Sequence, residues 1–269
     1  MADLSSIRLV CVDDACGKSY QFQPLQTNCE CMAPLRILYE SSGRLSRDKI
    51  LSRPLNMFRY LELLPISTMP NPDSPFFNVG YTPLVQADDL ARVLGMETGC
   101  LYIKGDVSKI SETFKDRGTT IGTIYSQEQH GTDIRALAGT STGNLAASIS
   151  AIAKILGLAG IVVVHKDAER NLIEKSISYG AYVLQVNGDY SEVNRKLNQA
   201  INESEVLTNN VAWINIRLRP VYAQGSKTIG FEVIEQLGWK IPRNIVHPVA
   251  AGLSLGQIYH AFKEFKQLS

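Results

Sequence analysis

The chain is predicted to be an α/β protein with a small β-rich module at its front, and three observations carry that prediction. From about residue 80 onward, apolar runs of strand length alternate with amphipathic stretches of helical period. Twice, at residues 138–148 and 245–256, an apolar run gives way to a turn of small residues and then to a helical pattern. Before residue 40 the pattern differs: short alternating segments are interleaved with four of the five cysteines.

Bulk properties narrow the classes. A chain of 269 residues can bury a large core and hold one or two domains. Its 45% apolar and 20% charged content is that of an ordinary globular protein. A formal net charge of +1, with no basic run, argues against a nucleic-acid partner. Apolar runs such as Leu156 to Val164 are too short to span a bilayer. The first residues have no basic start and no long apolar stretch, so no secretory leader is expected, and the chain reads as cytoplasmic.

In chain order, residues 1–40 form the front module, with strands expected at 7–10, 19–22 and 35–39. In a reducing compartment its clustered cysteines, Cys11, Cys16, Cys29 and Cys31, suggest metal more than disulfides. Zinc ribbons favour short knuckles of two cysteines, and Cys29-x-Cys31 is a poor one. Two readings stay open: a bound zinc, or a degenerate ribbon held by Leu9, Tyr20, Phe22 and Leu35. Cys100 reads as a small core residue. Residues 41–79 are a wrap-around segment broken by Pro54, Pro65, Pro70, Pro72 and Pro75, with room for a short helix at 57–61. Beyond it strands are expected at 101–104, 134–138, 161–165, 182–186, 211–216 and 244–249. Helices are expected near 86–95, 115–129, 144–157, 168–179, 189–203, 226–238 and 253–266. This rhythm by itself says little about function.

Three stretches carry chemistry. The octet Ser111-Glu112-Thr113-Phe114-Lys115-Asp116-Arg117-Gly118 opens a helix; taken alone it is a charged first turn in which Asp116 suits the helix dipole. At Ala138-Gly139-Thr140-Ser141-Thr142-Gly143-Asn144 a strand ends and a helix begins, so free amides and small side chains make an anion site or, more plainly, a helix cap. At His247-Pro248-Val249-Ala250-Ala251-Gly252-Leu253-Ser254 the same reasoning gives a second anion cradle. The four histidines show neither triad nor metal spacing, and Lys227 reads as structural.

In this order and spacing the three stretches, with Gly80-Tyr81-Thr82-Pro83-Leu84 before them and Gly225-Ser226-Lys227-Thr228 between them, resemble the pyridoxal-phosphate enzymes of the tryptophan synthase β type, threonine synthases in particular. The departures are Thr113 for the usual Ser, Gly139 for Ala, and a third turn poor in side-chain donors. The resemblance runs from about Gly80 to Phe265 and implies fold type II, with two α/β domains. The smaller would span 117–205; the larger would comprise 80–116 and 206–269, and is expected to be incomplete because the family continues further. The helix around 255–265, with Ile258, Tyr259, Phe262 and Phe265 on one stripe, is then expected to lack cover and to drive self-association into a homo-oligomer. For the site, the resemblance implies that Lys115 forms the Schiff base with pyridoxal 5'-phosphate and Asn144 bonds its phenolic oxygen. It further implies that Ala250, Ala251, Gly252, Leu253 and Ser254 hold the phosphate, and that Ser141 and Thr142 hold the substrate carboxylate. Lys104 and Arg117 are candidate cations for a phosphorylated substrate. The implied reaction converts O-phospho-L-homoserine and water to L-threonine and phosphate. A threonine or serine dehydratase, or a catalytically silent binding or regulatory paralogue, is the alternative.

Overall fold

Alternating apolar and polar residues at the front of the chain produce a half-buried sheet. In the computed structural model, which describes residues 7–23, 26–40 and 45–268, it comprises β1 (Ile7–Cys11), β2 (Ser19–Gln21) and β3 (Leu35–Tyr39). The strands are antiparallel in the order β2-β1-β3. Every second residue of β1 and β3 turns inward, so Ile7, Leu9, Cys11, Leu35, Ile37 and Tyr39 join the main core. The first six residues, on which the leader reading rests, and residues 41–44 of the wrap-around segment lie outside the described residues.

The proline-rich segment holds short elements only. After α1 (Arg47–Leu51), capped by the Ser46 hydroxyl, comes a 3-10 segment at Met57–Leu63 where a short helix was expected. It buries Met57, Phe58, Arg59 and Tyr60. A two-stranded antiparallel pair follows, β4 (Leu84–Gln86) with β5 (Tyr102–Lys104), flanking α2 (Asp88–Val93). Next comes α3 (Lys115–His130).

The continuous apolar runs then build a parallel sheet with helices on its faces. Its elements are β6 (Ala136–Thr140), α4 (Asn144–Ile155), β7 (Ala159–His165), α5 (Arg170–Ser178), β8 (Tyr182–Val186), α6 (Tyr190–Asn202), α7 (Glu205–Asn209) and β9 (Val211–Trp213). Strand order is β8-β7-β6-β9. β9, expected in the larger domain, pairs with β6 through Ala136↔Val211 and Ala138↔Trp213, so this sheet extends past residue 205.

Two long helices complete the body. α8 (Arg219–Gln236) begins seven residues before the expected 226 and is buried from Pro220 to Glu235. α9 (Leu253–Leu268) lies against it, where a Cβ on Gly230 would meet Ala261 at 2.6 Å. Cys100, expected as a small core residue, is exposed, and other expectations fail too. Residues 244–249 form no strand: no described strand pairs with them and Val246 is 99% exposed, so their apolar run lacks the ladder that would make it a strand. Correspondingly, the only sheet among the described residues of 80–116 and 206–269, apart from β9, is the antiparallel β4–β5 pair. The stripe on α9 is also better covered than expected. Ile258 and Ala261 are buried and Phe265 stacks on Trp239 with centroids 6.2 Å apart; Tyr259 is 54% exposed. No helix among the described residues is long and apolar enough to cross a membrane.

The crossing of α3 and α8 is set by two glycines. A Cβ on Gly118 would lie 2.4 Å from the Tyr222 ring, and one on Gly225 would lie 2.3 Å from the Arg117 carbonyl oxygen. Gly225→Ala is therefore expected to destabilise by about 1–3 kcal/mol in chemical denaturation, because backbone cannot yield. Gly256→Ala, in α9 with nothing within 4 Å, should instead stabilise by about 0.5–1 kcal/mol, the ordinary gain of alanine in a helix.

Candidate active site

The octet around Lys115 folds as a closed turn whose polar groups satisfy one another. The Ser111 amide and hydroxyl both donate to the buried Asp116 carboxylate, at 2.8 and 2.5 Å. The Lys115 amide donates to Thr113 Oγ1 at 3.2 Å, so the hydroxyl kept by the Ser-to-Thr departure orders the helix start. Glu112 takes a positive φ of 62° to close the turn. These contacts leave the Lys115 side chain pointing its amine past the Phe114 ring, 4.4 Å from its centroid. Among the described residues no carboxylate pairs with that amine. Partial burial lowers its pKa from the ordinary 10.5, which favours the neutral, nucleophilic form.

Two residues on, Arg117 faces the other way. It is 1% exposed and all its donors are used: Nε and Nη2 reach Asp106, Nη1 reaches Thr228 at 2.9 Å and Glu232 at 2.5 Å, and Nη2 also reaches Glu232 at 2.8 Å. Lys104 is drawn into the same cluster, 2.8 Å from Glu232. Burial alone would raise the Glu232 carboxyl, but Arg117 and Lys104 overcome it and hold the pKa at about 2. The amides of Tyr81 and Thr82 donate to the same carboxylate at 2.7 and 3.3 Å.

The remaining turns meet Lys115 in one cleft of about 1010 Å³. On one side β6 ends at Thr140, whose amide and carbonyl pair with the Asn215 side chain at 3.1 and 2.9 Å. A Cβ on Gly139 would strike Asn215 Oδ1 at 2.6 Å, which accounts for glycine there. The loop then passes through Ser141, Thr142 and Gly143 into α4, whose start has no side-chain cap, leaving its first amides free for an anion. On the other side Ala250, Ala251, Gly252, Leu253 and Ser254 line the cleft at the start of α9, with Gly252 at φ 80°. His247 is built into this wall: Nδ1 donates to the Pro248 carbonyl at 2.7 Å and Nε2 accepts from Ser254 Oγ at 3.2 Å.

Lys115, Ser141, Thr142, Asn144 and the 250–254 turn are thus brought together, while Lys104 and Arg117 do not line the cleft. Expected as substrate cations, those two are consumed by the buried carboxylates. The cation that does line the cleft is Arg219, at the first turn of α8, with no carboxylate partner among the described residues. Tyr190, Asn194 and Asn215 line it too. Sequence reasoning passed over these four. The available signal was their position, since ligands of parallel sheets gather beyond the carboxyl ends of the strands.

A family model described as pyridoxal-phosphate dependent enzyme matches residues 76–268. The chain belongs to that family. As a pyridoxal-phosphate dependent enzyme it is 30% identical over 257 residues to threonine synthase of Methanocaldococcus jannaschii, covering 93% of this chain and 60% of the relative. It is 28% identical to threonine synthase of Methanosarcina acetivorans, covering 97% and 61%. The chain thus spans about 60% of the length of these curated relatives. Among solved structures, maize serine racemase superposes with a TM-score of 0.55 at 19% identity, over 69% of this chain and 53% of the other. Threonine deaminase isoform 2 of Solanum lycopersicum gives 0.52 at 21%, over 70% and 51%. The architecture is the tryptophan synthase β-like fold, fold type II, and the cofactor of the family is pyridoxal 5'-phosphate. The donor set suits that group: a lysine amine with a lowered pKa and no ion pair among the described residues, across a cleft from a small-residue turn at the N-terminus of a 16-residue helix.

The buried cluster makes an acid-sensitivity prediction. The folded-state pKa of Glu232 lies below the ordinary 4.5, so its contribution to stability is complete above about pH 4.5 and is lost as pH falls toward 2. Glu62, which Arg53 and Lys49 likewise hold at about 2 against the opposing effect of burial, acts in the same window. Thermal midpoints should fall steeply between pH 4.5 and 2.5. Glu232→Gln, which takes the shared carboxylate from buried Arg117 and Lys104 and leaves Arg117 only the Asp106 carboxylate among the described residues, should cost about 3–5 kcal/mol at pH 7.

Proposed function

We propose that this pyridoxal-phosphate dependent enzyme is a threonine synthase, acting on O-phospho-L-homoserine and water to give L-threonine and phosphate. The observation that carries the reading is that one cleft offers three anion sites around one lysine: the start of α4, the start of α9, and Arg219, which has no carboxylate partner among the described residues. A cofactor phosphate and an amino-acid carboxylate use two of them. A third favours a substrate that brings a second anion, and the threonine synthase relatives support the same choice.

Lys115 would hold the cofactor's aldehyde carbon, Asn144 its phenolic oxygen, and the 250–254 turn its phosphate. Once bound, the cofactor supplies an electron sink for the pair left when a Cα proton departs. Ser141, Thr142 and the α4 amides would orient the substrate carboxylate, fixing the Cα–H bond toward the lysine. The freed Lys115 amine, whose pKa partial burial lowers, would take protons from Cα and Cβ and give protons back at Cγ and Cα. Arg219 would hold the phosphate as its C–O bond at Cγ breaks; water oxygen then bonds to Cβ, and Cγ and Cα regain protons. The buried cluster behind Lys115 keeps the first turn of α3 in place without touching substrate. Association into a homo-oligomer accords with the outer strand β8, which exposes Tyr182 and Leu184, and sedimentation of the purified chain tests it.

Two tests follow. Protein mixed with pyridoxal phosphate should acquire a visible absorbance that borohydride removes, leaving the reduced cofactor fixed on the Lys115 peptide. The rate of capture should rise with pH to a plateau whose half-point lies below 10.5, and Lys115→Ala should stay colourless. A wild type that stays colourless points to the silent paralogue. In turnover, phosphate release should match threonine formation one for one, whereas ammonia release from threonine marks a dehydratase. Arg219→Ala should lower kcat/KM for the phosphorylated substrate by about 10- to 100-fold, the loss of one charged hydrogen bond. It should leave cofactor capture unchanged.

A further inference from the structure

Outside the cleft, four sulfur atoms meet at one point. The Sγ atoms of Cys11, Cys16, Cys29 and Cys31 all lie within 4.8 Å of one another, with Cys11 to Cys31 at 3.5 Å and Cys16 to Cys29 at 3.6 Å. Two turns bring them there. β1 delivers Cys11, and a tight turn in which the Cys16 amide donates to the Asp13 carbonyl at 3.0 Å, with Gly17 at φ 61°, returns the chain. Opposite, the Met32 amide donates to the Cys29 carbonyl at 2.9 Å and Met32 takes a φ of 68°, which folds Cys29 and Cys31 toward the same centre. The left-handed Met32 is what lets Cys-x-Cys serve as a knuckle.

The geometry is that of a tetrahedral thiolate site. Zinc–sulfur bonds of about 2.3 Å set the four sulfurs about 3.8 Å apart. Two disulfides would need only pairwise approach, to about 2.05 Å, and give no reason for all four atoms to converge. Donors already face the sulfurs, as they do where thiolates ligate a metal: the Asp13 amide to Cys11 at 3.4 Å and the Tyr20 hydroxyl to Cys29 at 3.1 Å. The module also has need of such a tie, because residues 12–18 and the described residues between β2 and β3 carry no regular strand or helix.

We propose that Cys11, Cys16, Cys29 and Cys31 bind one structural zinc ion, and that this ion fixes Thr27 and Asn28 as a wall of the cleft. Thr27 and Asn28 line the cleft immediately before Cys29. They are tied into the module: the Thr27 carbonyl accepts the Leu35 amide at 2.9 Å and Asn28 bridges to Pro34. Four protein thiolates leave no open position, so the ion is structural and takes no part in chemistry. The link to the cleft rests on reading that cleft as the cofactor site; the metal site does not.

The full chain, produced with zinc in the medium, is assayed by elemental analysis and by exchange with cobalt(II). One zinc per chain is expected, with the visible bands of tetrahedral cobalt thiolate. Both should be lost in Cys16→Ser and Cys31→Ser and kept in Cys100→Ser. A chain without stoichiometric zinc and without those bands, or one whose mass shows two disulfides instead, overturns the metal site. The link is read by titrating pyridoxal phosphate into zinc-loaded and chelator-stripped protein of matched circular dichroism. Stripping should weaken binding roughly tenfold, reversed by zinc, the scale on which lost support around a site acts. Equal affinity with and without zinc overturns the link alone. Failure of the zinc-loaded chain to bind cofactor overturns the link together with the cleft reading, while the metal count still stands or falls by itself.

Discussion

The Arg117–Glu232 ion pair is the constraint on which the rest of the structure depends. Both groups are almost fully buried, and neither would be tolerated there alone. Each is satisfied only if several segments meet: Arg117 from α3, Glu232 and Thr228 from α8, Asp106 after β5, and the amides of Tyr81 and Thr82. Segments about 150 positions apart in sequence are thereby fixed to one point. Lys115 is two residues from that point. Its placement follows from a buried network that faces away from the cleft.

The glycines of α3 and α8 serve the same arrangement. Without side chains at Gly118 and Gly225 the helices approach closely enough for Arg117 to reach Glu232, and a β-carbon at either position would separate them. Farther along α8, Lys227 is buried, pairs with Glu264 of α9 at 3.0 Å and lies 4.0 Å from the Tyr39 ring centroid. A single helix thus carries a carboxylate toward α3 and an ammonium toward α9 and β3. This is why α8 has no apolar stripe: its whole circumference is interior, and its polar residues are spent on neighbours rather than on solvent.

That feature also marks where the sequence was legible. The sheet strands and the helices α4 and α6 follow from periodicity, because each has one face inside and one outside or is apolar throughout. α8 has neither pattern, so its first two turns were not recognised. Residues 244–249 have the apolar content of a strand, but content does not supply a pairing partner. Arg117 and Lys104 read as ligand cations because a sequence shows charge without showing what stands opposite it. Arg219 escaped notice because its significance is an absence: it lines the cleft with no carboxylate partner among the described residues. The cysteines were counted correctly, but a spacing rule could not anticipate that Met32 would adopt a left-handed conformation.

Polarity ties the cleft together. The helices that begin at its walls include α3, α4 and α9, and each of these carries partial positive charge at its first turn. Two of these starts bear only small or neutral side chains and so present that charge to an anion. The third bears Lys115, at a position where carboxylates are ordinarily preferred and an ammonium is opposed. Burial already lowers the pKa of this amine, and the dipole acts in the same direction. Asp116 offers no relief, because its carboxylate is turned away to the Ser111 amide and hydroxyl. Placing a lysine here costs stability in its charged form, and it is that cost which makes the neutral amine available. The arrangement that makes two helix starts receptive to anions thus makes the third a source of a nucleophile.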